Sequence, residues 1–338
     1  MDCKTNIFDA LKEEILKSDL PEEEKSRRIA RITKAGSQRV NLMLVGTTGS
    51  GKSSTVNALF DMSVAKVGVG ADPETKGIVR FDLGNLTIWD TPGLGDEEEQ
   101  DKAHIRQIAK KLSEKDKNSY PLIDLVLVVL DASSKDLAVS YDVINNTLIP
   151  ILGKENACRI LIGLNQSDLA MKGRNWDSNR NVPNPVLNEF LARKADSVKR
   201  RIYESTGVAV EPVCYCAGYT DGEEKQEPYN LAKLLYAILT AVPEEKRLLL
   251  SDKLNTIESH WTFHDNEKNY GEAVQNSFWD ALLKNVLDGM EKGAVVGGCI
   301  IGFPGVLLGG LSGAVIGGLR SLVAKPLSRL KPVMKILK

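Results

Sequence analysis

The distribution of apolar residues changes twice along the chain. Over residues 5–36, apolar positions recur at helical spacing amid dense charge, and the clearest of them are Ile7, Leu11, Ile15, Ile29 and Ile32. That spacing predicts two short amphipathic helices, separated at Pro21.

From Val40 the pattern becomes one of short apolar strands separated by helical stretches. The strands read NLMLVG, GIVRFDL, LTIWD, LIDLVLVVLD, CRILIGLN and VEPVCYCA. Strands that alternate with helices predict an α/β fold, in which a mostly parallel sheet carries helices on both faces. The stretch GIVRFDLGNLTIWD predicts an antiparallel hairpin that turns at Gly84-Asn85.

The pattern changes again near the C-terminus. From Gly293 to Leu319, 27 residues carry no charge and 10 of them are glycine. This exceeds the ~20 apolar residues that a membrane-spanning helix needs. The basic residues that follow suit anionic lipid headgroups, and they are Arg320, Lys325, Arg329, Lys331, Lys335 and Lys338. Membrane contact and a buried glycine-rich helical hairpin are both open interpretations, and Pro304 would interrupt a spanning helix.

Overall charge and cysteine usage limit the expected partners and the expected cellular compartment. Lys and Arg number 44 and Asp and Glu 45, so a net charge of −1 gives no electrostatic reason to bind nucleic acid. The N-terminus lacks a basic start followed by an apolar run, and none of the five cysteines forms a CxxC pair. We expect a cytoplasmic protein with free thiols, associated with the inner face of a membrane if the tail contacts lipid.

A phosphate-binding loop follows the first predicted strand. The pattern G-x-x-x-x-G-K-[ST] is met between that strand and a helical stretch, and its residues are Gly46, Thr47, Thr48, Gly49, Ser50, Gly51, Lys52 and Ser53, with Ser54 next. Backbone N–H groups of such a loop and the following helix start surround phosphate oxygens. Lys52 would reach the β- and γ-phosphates, and Ser53 would offer its hydroxyl to Mg²⁺.

Two further segments contain candidate residues for binding Mg²⁺ and the γ-phosphate. Asp90 closes the strand LTIWD, where its carboxylate would orient Mg²⁺, and the Gly93 N–H would touch the γ-phosphate only while it is present. Thr75, in a glycine-containing loop, is the candidate for a second hydroxyl on Mg²⁺, although a turn-capping role is the alternative. Lys52, Thr75 and Gly93 are therefore the catalytic candidates.

The segment Asn165-Gln166-Ser167-Asp168 ends another apolar strand and would select the base. The Asp168 carboxylate can accept hydrogen bonds from N1–H and N2–H₂ of guanine, a donor pair that adenine lacks. Asn165 would brace the loop and could reach the base edge. We therefore expect GTP and GDP as ligands rather than adenine nucleotides.

These motifs together resemble the translation-factor-related (TRAFAC) class of P-loop GTPases. Gln166 occupies the position where that class usually has a Lys, whose aliphatic stem lies over the base. The pair Cys216-Ala217 resembles the Ser-Ala element of the class, and the resemblance implies that the Ala217 N–H contacts guanine O6. The resemblance covers about residues 38–245 and is greatest to the Era, septin and immunity-related group, within it to bacterial GTPases of the YfjP/YeeP type. It implies a Ras-like G domain that uses Mg²⁺.

One position departs from the pattern of many relatives. Leu94 directly follows the Asp-x-x-Gly motif, where a Gln often positions the attacking water, and leucine cannot bond to water. We predict slow intrinsic hydrolysis, with the water held by backbone, by Thr75 or by a polar group from a second subunit or a partner. A homodimer through the nucleotide face is therefore a candidate assembly.

Four segments and three functions follow from these interpretations. The segments are an N-terminal helical extension (1–37), a G domain (38–245), a helical connector (246–292) and a glycine-rich segment with a basic tail (293–338). The first hypothesis is a slow GTPase switch that controls membrane association or oligomerisation. The alternatives are a membrane-inserting effector gated by the G domain, with lipid as its partner, and a GTP-binding module that does not hydrolyse.

Overall fold

The computed structural model describes residues 7–17, 20–62, 66–68, 77–221 and 224–285. Two helices, α1 (Ile7–Lys17) and α2 (Glu22–Gly36), precede the sheet, as the periodicity predicted. Thr75 and the glycine-rich segment 293–319 lie outside the described residues. Within those residues, no helix has the length and apolar content needed to cross a membrane.

The described residues include the strands β1 (Val40–Gly46), β2 (Lys66–Gly68), β3 (Val79–Leu83), β4 (Leu86–Asp90), β5 (Leu125–Asp131), β6 (Ile160–Asn165), β7 (Trp176–Asp177), β8 (Val182–Pro183), β9 (Val213–Cys214), β10 (Tyr219–Asp221) and β11 (Glu224–Gln226). Seven of them form the central sheet, in the order β2-β3-β4-β1-β5-β6-β9, whereas β7 pairs with β8 and β10 pairs with β11 in two small separate sheets. Strands β4, β1, β5, β6 and β9 pair in parallel, whereas β2 and β3 are antiparallel to their neighbours. The α/β fold with a mostly parallel sheet is confirmed.

Helices cover both faces of this sheet. They are α3 (Lys52–Leu59), α4 (Glu98–Ser113), α5 (Ala138–Val143), α6 (Ile149–Leu152), α7 (Pro185–Thr206), α8 (Leu231–Ala241) and α9 (Tyr270–Asn285). A π-helical turn, Ile144–Leu148, joins α5 to α6. Short 3₁₀ turns lie at Lys154–Arg159, Ala170–Gly173, Glu244–Leu250 and Glu258–Trp261.

The predicted hairpin is present in β3 and β4. Leu83 pairs with Leu86 across a two-residue loop, and Gly84 has a φ of +68°. A positive φ at the first loop position is the geometry in which glycine is favoured in tight hairpins. The hairpin carries Asp90 to the same edge of the sheet at which β1 ends.

The central strand β1 explains how one strand supplies two cores. Its residues are all buried, and successive side chains point to opposite faces of the sheet. Leu42 and Leu44 enter a cluster with α3 and α8, whereas Met43 and Val45 enter a cluster with α4 and α7. Burial on both faces accounts for the nearly continuous apolar run in the sequence.

The helical extensions share the first of these cores. Phe8 of α1 and Ile32 of α2 belong to the same buried cluster as Phe278 of α9 and the strand residue Leu42. Segments from both ends of the described chain therefore pack on the face of the sheet that α3 and α8 also cover. The segment limits predicted from the sequence stay predictions.

Candidate nucleotide-binding site

The loop between β1 and α3 curls at two glycines. Gly49 and Gly51 have φ values of +76° and +88°, a region that L side chains rarely adopt. At Gly51 there is a second constraint, because an added Cβ would overlap the Asn165 amide nitrogen. The loop ends at the N-terminus of α3, whose free N–H groups and dipole favour an anion.

Lys52 lies folded along this loop. Its Nζ donates hydrogen bonds to the carbonyl oxygens of Gly46 and Thr47, each at 3.1 Å. Burial lowers the pKa of Lys52, and the nearby carboxylates of Asp90 and Asp96 oppose that shift. A mostly buried ammonium group beside the helix start provides the positive charge that phosphate groups require.

Ser53 and Asp90 face each other beside the loop. The Ser53 hydroxyl donates to Asp90 Oδ2 at 3.2 Å, whereas Asp90 Oδ1 is buried and has no hydrogen-bond partner among the described residues. Burial raises the pKa of Asp90, and Lys52 and Ser53 partly offset the effect. A hydroxyl and an unpaired carboxylate oxygen fit Mg²⁺. Among the described residues, no cluster of three or more His, Cys, Asp or Glu that could hold a metal ion is present.

The segment after Asp90 pairs with the phosphate-binding loop through backbone bonds. Thr48 N–H donates to Leu94 O at 2.9 Å, and Leu94 N–H donates to Gly46 O at 3.3 Å. The Leu94 side chain is buried in the core cluster beside α4. Gly93 lies so near Thr48 that an added Cβ would overlap its hydroxyl. Leu94 therefore presents backbone, not a polar side chain, to the loop.

Asn165 connects three parts of the site. Its Nδ2 donates to Ser50 O at 2.9 Å, and its Oδ1 accepts from Ala217 N–H at 3.0 Å. The residue is only 2% exposed. Asn165 thus joins the phosphate-binding loop to the segment after β9, which is the brace that the sequence suggested. Because this bond occupies the Ala217 N–H, its contact with guanine O6 stays a prediction.

Gln166 and Asp168 lie on the exposed and buried sides of the next turn. Gln166 has a φ of +60°, and its Nε2 donates to Gly49 O at 2.7 Å, so the side chain crosses the phosphate-binding loop. Asp168 is 6% exposed, and its Oδ1 has no hydrogen-bond partner within the described part of the chain. Burial and the adjacent Asp168 carboxylate raise the pKa of the Cys216 thiol.

The structure brings nearly all of the predicted site residues to one edge of the sheet. These are Gly46, Thr47, Thr48, Gly49, Ser50, Gly51, Lys52, Ser53, Asp90, Gly93, Asn165, Gln166, Asp168, Cys216 and Ala217. Ser54 is exposed on α3, next to Ser53. The contacts of all these residues with nucleotide and metal remain predictions.

A buried pair of hydroxyl groups that the sequence patterns did not indicate lies beneath the loop. The hydroxyls of Thr55 and Tyr215 are 2.7 Å apart, and Thr55 Oγ1 also donates to Gly51 O at 2.7 Å. Tyr215 therefore supports the phosphate-binding loop through Thr55. Its position within the apolar run VCYCA, where a hydroxyl needs a buried partner, was the available signal.

Asn230 is a second residue that the sequence did not mark. It has a φ of +55°, its Nδ2 donates to Cys214 O at 3.0 Å, and its Oδ1 accepts from Asp265 N–H at 2.9 Å. The side chain connects the end of β9 with the segment before α9. No local sequence pattern distinguishes this asparagine.

Comparisons with known proteins agree with this geometry over part of the chain. Residues 41–166 match the family model described as 50S ribosome-binding GTPase, a range that includes the phosphate-binding loop, Asp90 and Asn165. With the strand order described above, the fold is that of a P-loop GTPase.

Two relatives from Escherichia coli (strain K12) carry no assigned function. The uncharacterised protein YkfA is 27% identical over 156 residues, which is 45% of this chain and 50% of the relative. The uncharacterised protein YfjP is 29% identical over 130 residues, 38% of this chain and 41% of the relative. The chain thus spans about half the length of the relatives that it matches.

The similar solved structures have lower sequence identity to this chain than the two Escherichia coli relatives. A probable GTP-binding protein, engB, is 17% identical with a TM-score of 0.36, over 60% of this chain and 98% of that protein. The LeoA bacterial dynamin GTPase from ETEC is 15% identical with a TM-score of 0.40, over 84% of this chain and 47% of that protein.

Proposed function

We propose that the chain binds GTP and GDP with Mg²⁺ and hydrolyses GTP slowly, as a switch. The observation that carries the proposal is the buried, unpaired oxygen of Asp168, held next to a phosphate-binding loop that Asn165 braces. A carboxylate oxygen left without a partner in a buried position is unfavourable, and a ligand that donates to it removes the penalty.

Guanine is the base that suits this carboxylate. It offers N1–H and N2–H₂ on one edge, whereas adenine would leave the buried oxygen unpaired. Gln166 lies over the loop on the exposed side, where its amide can contact the base plane. These contacts support guanine nucleotides as ligands.

The phosphate side of the site supports Mg²⁺-dependent chemistry. Ser53 and Asp90 would hold the ion, which when bound neutralises charge on the phosphate oxygens. Lys52 and the start of α3 would stabilise the same oxygens. Because the Leu94 side chain is buried and nonpolar, the attacking water would be positioned by backbone, by Thr75, or by a polar group from a second copy or a partner at the nucleotide face. Slow hydrolysis by the isolated chain follows.

Base selection can be tested with Asp168→Asn. Asparagine presents an N–H₂ group to the base, which suits the O2 of xanthine, so we expect GTP affinity to fall by about 10²- to 10⁴-fold and XTP affinity to rise. Titration of fluorescent nucleotides measures both. Asp196→Asn is a matched control, because Asp196 is exposed on α7.

Hydrolysis can be tested separately, because Lys52→Ala should abolish Mg²⁺-dependent release of phosphate. Equal affinity of the unaltered protein for ATP and GTP would refute the proposal.

The proposed switch has a structural route toward the C-terminus. Asn230 connects Cys214, close to the base-side segment, with Asp265, and α9 follows and packs against α8. We propose that nucleotide state alters membrane engagement or oligomerisation of the region beyond α9. Flotation of the full chain with lipid vesicles, loaded with GDP or a non-hydrolysable GTP analogue, tests this. Identical flotation and identical mass in both states would exclude it.

A further inference from the structure

A second cleft lies between the segment around α5 and the helix α7. Its volume is about 410 Å³, and no residue of the nucleotide site lines it. Phe190, Lys194 and Arg201 form one wall and recur at helical spacing on α7, while Lys135 and Tyr141 form the other. The cleft is in the size range of small-molecule sites, roughly 300–1,000 Å³.

The side chains that line this cleft carry an excess of positive charge. The lining includes the four cations Lys135, Arg193, Lys194 and Arg201 and no acidic residue. Among the described residues, only Arg193 of these four forms an ion pair, at 3.6 Å with Glu189.

Basic residues of α7 outside the cleft do have acidic partners. Lys199 pairs with Glu211, and Arg200 lies 4.0 Å from Glu204. Of the three α7 cations that line the cleft, Lys194 and Arg201 therefore have no ion-pair partner among the described residues, whereas Arg193 has Glu189. A uniformly solvated helix face would not concentrate its unpaired cations in the cleft.

Lys194 is the most enclosed of these cations. Its ammonium group donates to Ser134 O, and burial lowers its pKa, with Asp131 opposing the shift from a distance beyond ion-pair contact. Desolvation of a cation beside other cations is unfavourable, and an anion in the cleft would relieve it.

Aromatic groups complete the lining. The Arg201 guanidinium lies 5.5 Å from the centre of the Tyr141 ring, which holds the cation over the ring face. Phe190 adds an apolar surface on the α7 wall. The cleft thus combines anion-binding groups with surfaces against which an organic moiety can pack.

We propose that this cleft binds a phosphate ester, either a soluble metabolite or a phospholipid headgroup. The phosphate contacts Lys194, Arg201 and Lys135, and the organic part lies against Tyr141 and Phe190. The loop that follows β5 connects the cleft to the nucleotide site, because Ala132 N–H donates to Asn165 O at 2.7 Å and Ser134 accepts from Lys194.

The test uses the full chain saturated with GDP and Mg²⁺, so that the phosphate-binding loop is filled. Calorimetry with glycerol 3-phosphate examines the soluble source, and sedimentation with phosphatidylglycerol or phosphatidylcholine vesicles examines the lipid source. We expect saturable binding of at least one phosphate probe, weakened by added salt. Arg201→Gln should weaken it about tenfold, whereas Arg200→Gln, one residue away and outside the cleft, should change it less than about twofold.

Melting temperatures check that both variants fold, and Lys135→Gln, in an exposed loop, replaces Arg201→Gln if that variant does not. Binding of phosphatidylglycerol alone identifies a headgroup as the source. The proposal is overturned if neither probe binds, or if Arg201→Gln and Arg200→Gln bind like the unaltered chain or lose affinity equally.

Discussion

Asn165 offers the sharpest test of how the site is held together, because one buried side chain makes two bonds of opposite kind. Its amide nitrogen donates to Ser50 O at 2.9 Å, and its oxygen accepts from Ala217 N–H at 3.0 Å. Asn165→Ala removes both bonds and leaves two backbone groups without these partners. The side chain is 2% exposed, so water replaces them poorly.

The magnitude follows from these orphaned groups. A buried polar group that loses its partner costs about 1–3 kcal/mol, so two of them give a loss of about 2–6 kcal/mol in the free energy of unfolding. Asn165→Asp keeps the acceptor for Ala217 but turns an oxygen toward Ser50 O, so it should also destabilise the loop. Both variants should weaken GDP binding, because Asn165 connects the phosphate-binding and base-side segments.

Urea unfolding without nucleotide, together with titration of fluorescent GDP, measures these losses. Asn188→Ala is a suitable control, since Asn188 is exposed on α7. If Asn165→Ala lowered the free energy of unfolding by less than about 0.5 kcal/mol, as exposed substitutions do, the two bonds would not have the role inferred here.

Two further substitutions have outcomes that the structure specifies. Lys246→Met removes the 2.6 Å partner of buried Asp124 and should cost about 3 kcal/mol near neutral pH, the low end for a buried pair because Lys246 is partly exposed. Urea unfolding should show that loss shrinking as the pH falls, because burial raises the pKa of Asp124 and its protonated form needs no cation. Gly51→Ala should abolish GDP binding in a titration, since its Cβ would overlap Asn165, whereas Gly49→Ala, with a similar φ and open space, should weaken it less; equal losses would contradict the overlap argument.

The sequence predicted the parts of the site that local patterns determine. The phosphate-binding loop is contiguous, and the hairpin turning at Gly84-Asn85 needs only its own two strands. Asp90 and Asn165 end apolar runs, and parallel strands place such ends at one edge of a sheet. Local patterns were therefore sufficient to predict the fold class and to predict that most of the candidate site residues lie at one edge of the sheet.

The pairing of Thr55 with Tyr215 could not be predicted in the same way. The two residues are 160 positions apart, and their contact depends on how the residue after β9 packs against α3. Leu94 is a related case, because the sequence showed the absence of a glutamine but not that the backbone would pair with Thr48. Contacts between elements depend on tertiary packing, which a strand or helix pattern does not specify.

The helical extensions illustrate the same limit at the scale of the whole fold. An amphipathic pattern shows that α2 has an apolar face, but it does not show what covers that face. In the structure Ile32 shares a cluster with Leu235 of α8 and Phe278 of α9. The nucleotide-binding motifs end well before α9, but the hydrophobic core that supports them includes residues of α9. Segments near both ends of the described chain therefore contribute to the stability of the sheet on which the phosphate-binding loop is built.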